Sequence, residues 1–154
     1  MLQSLTRLLD SLAGPDAAKQ AVPDREHALR LATAALLFEI VRADGDVRDE
    51  ERAVMRAAVQ SSFGLPAGEL EELLREAEHA SLQATSLYEF TQRVDQELDA
   101  EQKKRVVELL WLIVFADDSK DALEEHLVRK IASLLHVRHP DFIDAKLKAK
   151  ERQV

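Results

Sequence analysis

At 154 residues the chain has the length of one domain, enough to bury a substantial core. A formal charge of −8 excludes a general nucleic-acid binder, which needs a basic face to displace counterions. The absence of Cys excludes disulfides, thiolate metal sites and thiol nucleophiles, and is compatible with a reducing cytoplasm. Only four Gly and four Pro stand against abundant Ala, Leu, Glu and Arg, a composition that favours helices.

In chain order, Leu2, Leu5, Leu8, Leu9 and Leu12 recur at helical spacing, so residues 1–22 read as an amphipathic helix and a link. This stripe is expected to pack on its own domain, giving a monomer or a weak homodimer. Met1 to Ala13 lacks the basic start and unbroken apolar core of a secretory leader. Residues 23–150 form the helical domain proper. Asp24 is the expected N-cap of a long helix ending near Asp44, with Leu29, Ala32, Leu36, Leu37 and Ile40 inside. Val47, Val54, Met55 and Ala58 give the inner face of the next helix. Phe63-Gly64-Leu65-Pro66 breaks the pattern, and Leu70, Leu73, Leu74 and Ala77 face the core beyond it.

Ser86-x-x-Glu89 and Asp99-x-x-Gln102 are two capping-box patterns in quick succession. The helix after the second carries Val106, Val107, Leu109, Leu110, Trp111, Ile113, Val114 and Phe115. Apolar around much of its circumference, it belongs at the centre of a bundle. That run is too short to cross a bilayer and contains Glu108, so no membrane insertion is expected. Asp121-x-x-Glu124 opens the following helix, with Leu127, Val128, Ile131, Leu134 and Leu135 inside. Phe142, Ile143 and Leu147 start the last one after His139-Pro140. The fold class is therefore all-α: a single-domain bundle of about seven or eight helices.

An internal repeat divides this bundle into two pseudo-symmetric halves. Leu36 aligns with Leu109, Ile40 with Ile113 and Val41 with Val114. Each apolar helix then runs into an acidic turn: Ala43-Asp44-Gly45-Asp46-Val47-Arg48-Asp49-Glu50-Glu51 in the first half, Ala116-Asp117-Asp118-Ser119-Lys120-Asp121-Ala122-Leu123-Glu124 in the second. Asp44 falls on Asp117 and Glu51 on Glu124, at one constant offset.

These turns, with the run Leu123 to Ile131, resemble the TerB-like family of bacterial tellurite-resistance proteins, a domain also found at the N-terminus of a DnaJ-like co-chaperone. The resemblance covers roughly Arg25 to Lys148. It implies an all-helical pseudo-symmetric domain, an acidic patch that binds divalent metal, and no enzymatic activity. The chain departs from the pattern in its second copy, where Asp118 replaces Gly45 and Lys120 replaces Val47. No J-domain surrounds His139-Pro140-Asp141.

Read as chemistry, a hard cation such as Ca²⁺ or Mg²⁺ needs several oxygen ligands, and Asp44, Asp46 and Glu51 supply them from one turn. Asp117 and Glu124 form the weaker set, with the Lys120 cation among them. The spacing is not that of an EF-hand, because Met55 and Val128 occupy the position of the bidentate Glu. The competing reading is that acidic residues at a helix start only satisfy N–H groups and oppose the macrodipole. His136 and His139 straddle a helix end and Pro140, and His136 there is favoured by the helix dipole without any metal. His27, His79 and His126 fall at mostly polar positions and are expected to be solvated. No G-x-S-x-G, P-loop or Rossmann glycine pattern occurs. The sequence thus predicts a cytoplasmic, non-enzymatic binding module of a bacterial stress or tellurite response. It would present its acidic patch to a divalent metal or a basic protein partner. The alternative is a structural interaction domain whose carboxylates only cap helices.

Overall fold

The structure is a computed structural model and describes residues 22–43, 45, 47–116 and 122–152. Seven helices lie among them: α1 Val22–Val41, α2 Asp49–Phe63, α3 Ala67–Gln83, α4 Tyr88–Glu97, α5 Ala100–Phe115, α6 Ala122–Leu134 and α7 His139–Arg152. No strand occurs among the described residues. The expected helix over the Leu2–Leu12 stripe lies outside them.

Two helices make the centre. Along α1, every residue from Leu31 to Phe38 is buried, a wider surface than one amphipathic stripe. Ala32, Ala34 and Ala35 let neighbours approach from several directions, and the one hydroxyl in that run, on Thr33, donates back to the Leu29 carbonyl at 2.8 Å. In α5, Val106 to Trp111 and Ile113 to Val114 are buried. α1 packs on α3, α4 and α5, while α5 packs on α7, α2 and α6. The Asp99 cap of α5 is complete: its carboxylate accepts from the Gln102 N–H at 2.9 Å, and the Gln102 side chain accepts from the Asp99 N–H at 3.0 Å. At α4 the device is displaced. Ser86 Oγ accepts from Tyr88 N–H, and Glu89 reaches back to Thr85 instead of Ser86.

Three expectations need correction. α1 starts at Val22 rather than after an Asp24 cap, since Pro23 is tolerated in a first turn. Val47 precedes α2 and is 38% exposed, and the core face of α2 is Glu51, Met55, Ala58 and Val59. On α7, Ile143 and Leu147 are 37% and 53% exposed, whereas Phe142, Ala145 and Ala149 face inward. The small alanines allow α7 to lie close on α5, so the larger apolar side chains point away from that contact. Phe142 meets Trp111 edge-on at 5.7 Å, and Lys146 stands over the Trp111 ring at 4.8 Å. Trp111 and Phe115, stacked at 5.4 Å, belong to the core and its margin.

The helix order follows the repeat: by sequence offset α1 and α2 correspond to α5 and α6, and α3 and α7 come next in each half, with α4 preceding the second set. The register is not constant to the end, however. Glu51, Met55 and Val59 match Glu124, Val128 and Ala132, but Leu70, Leu73 and Ala77 match Phe142, Ala145 and Ala149 with one residue fewer between. The deletion falls within the last turn of α6, and both halves then close in the left-handed conformation: Gly64 at φ 61° and His136 at φ 59°. Gly64 donates to the Gln60 carbonyl at 2.8 Å. The second half instead uses a Schellman pair, His136 N–H to Ser133 and Val137 N–H to Ala132, each at 3.0 Å.

A Cβ at Gly64 would meet nothing within 4 Å, so the positive φ alone makes glycine the favoured residue there. Gly64→Ala is expected to lower stability by about 1 kcal/mol. Gly68, in the first turn of α3 with negative φ and equally open space, is the contrast. Gly68→Ala should raise stability by about 0.5 kcal/mol. Urea melts of the two variants check the opposite signs.

Candidate functional site

Each central helix leaves the core at an acidic turn. After α1 the chain tightens through Ala43 N–H to the Ile40 carbonyl (3.2 Å) and Gly45 N–H to the Arg42 carbonyl (2.9 Å). Gly45 takes φ 80°, with nothing near a Cβ, so this turn too needs glycine for conformation alone. Arg48 stands at the N-cap position of α2 with no side-chain cap bond, followed by Asp49, Glu50 and Glu51 in the first turn. Asp49 and Glu50 are exposed, whereas Glu51 is 0% exposed.

The second half can be compared from Ala122 onward. Glu124, also the third residue of its helix, is 1% exposed. Two carboxylates at equivalent positions of the repeat are therefore core residues rather than members of a solvated acidic face. Asp44, Asp46 and Asp117, the other predicted ligands, lie outside the described residues, as do Asp118, Lys120 and Asp121. Among the described residues no three His, Asp or Glu side chains converge as a metal group. Of the predicted set, the structure thus places Glu51 and Glu124, each in the core at the head of its own helix.

The magnitudes matter here. Burial of a carboxylate costs several kcal/mol, while a helix N-terminus returns about 0.5–2 kcal/mol. Capping alone does not offset the burial, so a cation is needed nearby. One is present at the first turn: the Arg48 guanidinium, 3.8 Å from Glu51 Oε1. Arg48 was not among the residues the sequence singled out.

Other charges in and beside the core are matched within the bundle. Arg42 donates to the Ser81 hydroxyl and carbonyl at 2.7 and 3.0 Å, and Ser81 donates to Glu39 at 2.8 Å, tying the end of α3 to the end of α1. Glu108 lies between Arg105 and Arg152. The histidines go to separate places: His27 meets Glu76 at 3.1 Å, His136 meets Asp95 at 3.1 Å, and His139 stacks on Phe142. His136 and His139 do not share a partner.

Comparisons with known proteins agree on the architecture. The sequence model described as tellurite resistance protein TerB matches residues 30–147. A crystal structure of a protein of unknown function from Porphyromonas gingivalis W83 is similar in fold, with a TM-score of 0.62 and 24% identity, covering 81% of this chain and 95% of that one. No curated protein matches.

One charged contact outside the turns gives a measurable pH effect. The Lys103 ammonium, 2.6 Å from Asp95, holds that carboxyl below its usual range, and the His136 imidazole adds to the effect. A depressed folded-state value means stability that is present above the unfolded pKa of about 4 and lost as pH falls through the folded one. Asp95→Asn should therefore be less stable than the parent at neutral pH, with the difference closing as acid protonates the parent's carboxyl. Thermal melts between neutral pH and pH 3 check this.

Proposed function

The chain belongs to the tellurite resistance protein TerB family, and on that premise we propose that it is a non-catalytic module whose acidic turns bind a divalent cation. The first turn, with Asp44, Asp46 and Glu51, is the principal site. Asp117 and Glu124 form a weaker second site, impaired by Lys120. The observation that carries this reading is the burial of Glu51 and Glu124 at matching places in two otherwise diverged halves. Carboxylate oxygens at the head of a helix suit a hard ion, Ca²⁺ or Mg²⁺.

A role in a bacterial stress or tellurite response is supported by the family name. Direct reduction of tellurium by this chain is not, because it has no thiol. We place the module in the cytoplasm, acting through a protein partner. No helix among the described residues is long and apolar enough to cross a membrane. The Arg48–Glu51 contact favours a second reading, in which the carboxylates are purely structural and the partner surface lies elsewhere.

Melting in the presence of Ca²⁺ or Mg²⁺ against a sodium control of equal ionic strength separates the two. Ligand that binds only the folded state adds about 2.7 kcal/mol of stability at a hundredfold excess over Kd, and so raises the melting temperature with concentration. The parent should show a shift beyond the sodium control, and Asp44→Asn and Glu51→Gln should lose most of it. A shift matched by sodium, or unchanged in both variants, leaves the structural reading.

A further inference from the structure

The first acidic turn already holds a cation of its own. Glu51 is 0% exposed, and the Arg48 guanidinium stands 3.8 Å from its Oε1. Arg48 occupies the N-cap position of α2 in extended backbone, at φ −96° and ψ 142°, and makes no side-chain cap bond there. Its side chain is 27% exposed, so the guanidinium keeps a path to water and can withdraw without opening the core. Arg52, next to Glu51 in the sequence, is the contrast. It is turned onto Glu78 of α3 at 2.9 Å and over the Phe38 ring at 5.9 Å. By the constant offset of the repeat, Asp121 stands in the sequence where the first half has Arg48, so a cation at this position distinguishes the first half from the second.

We propose that Arg48 sets the cation affinity of the first turn by competing for Glu51. It holds the carboxylate in the ion-free chain and gives it up when Ca²⁺ or Mg²⁺ binds. The inference rests on the cation reading of that turn. A guanidinium and a hard ion do not share one buried carboxylate at close range, because two cations in a poorly solvated site repel. Arg48 is the one that yields, since its flexible side chain regains hydration on the way out. The apparent affinity is then the intrinsic affinity reduced by the fraction of chains in which the guanidinium is off the carboxylate. A contact populated about nine-tenths of the time weakens binding about tenfold. One residue thereby has two roles: counter-ion for a buried acid, and a barrier that keeps the turn closed to ions at low concentration.

The test is calorimetric titration of the full chain with Ca²⁺ at constant ionic strength, comparing the parent with Arg48→Gln, Arg48→Lys and Arg52→Gln. Without divalent ion, Arg48→Gln should melt lower than the parent, because a buried acid has lost its counter-ion. It should nevertheless bind Ca²⁺ about tenfold more tightly. Arg48→Lys keeps a tethered cation and should bind as the parent does. Arg52→Gln removes the same charge beside Glu51 in the sequence and should also leave the affinity near that of the parent. Binding by Arg48→Gln with none by the parent supports the proposal as well. An affinity unchanged or weakened in Arg48→Gln, or raised equally in Arg48→Lys or Arg52→Gln, overturns it and leaves the cation reading standing. Binding by neither the parent nor Arg48→Gln overturns both.

Discussion

The burial of α1 and α5 on most of their circumference is the constraint from which the rest of the bundle follows. A helix apolar on one stripe needs one neighbour, but one that hides Leu31 through Phe38 in succession needs several. Each central helix is accordingly covered by the two that follow it and by its counterpart from the other half. The repeat is an economical answer, since the same three-helix unit supplies both the helix to be buried and its cover. Small residues set the spacing: Ala32, Ala34 and Ala35 within α1, and Ala145 and Ala149 where α7 lies on α5.

That constraint also puts the acidic turns where they are. α2 and α6 must fold back over the central helices immediately after leaving them, so their first turns enter the core rather than projecting from it. Side chains at the third position of each helix are then inward-facing, whatever their chemistry. In both halves that residue is a glutamate, and in both it is buried. A helix that merely needed an N-terminal acid had exposed positions to hold it, as Asp49 and Glu50 illustrate. An acid kept in the buried position of both repeats calls for a positive partner, and Arg48 supplies one at the first turn.

Much of this was readable in the sequence, and the failures have physical causes. The Asp99 capping box and the apolar run of α5 were assigned correctly because local hydrogen bonding and helical periodicity leave little ambiguity there. Ile143 and Leu147 were misassigned because size suggested burial, whereas close helix packing selected the alanines beside them. The repeat was found, but its change of register was not. It occurs where Gly64 and His136, two dissimilar residues, adopt the same left-handed backbone conformation. Glu51 and Glu124 were named from their acidic chemistry. Their burial was missed, since a charged residue in an apolar spacing reads as surface until the packing is known.

The central claim is that the buried glutamates are cation ligands and not only structural acids. Carbon-13 NMR of the glutamate carboxyl groups tests it most directly, with Glu51 and Glu124 assigned through their Gln variants. On titration with Ca²⁺ or Mg²⁺ at constant ionic strength, the Glu51 carboxyl signal should shift and saturate, with Glu124 following at higher concentration, while exposed glutamates such as Glu50 stay nearly fixed. Glu51 and Glu124 signals that do not move, or that move only as the exposed glutamates do, would contradict the account.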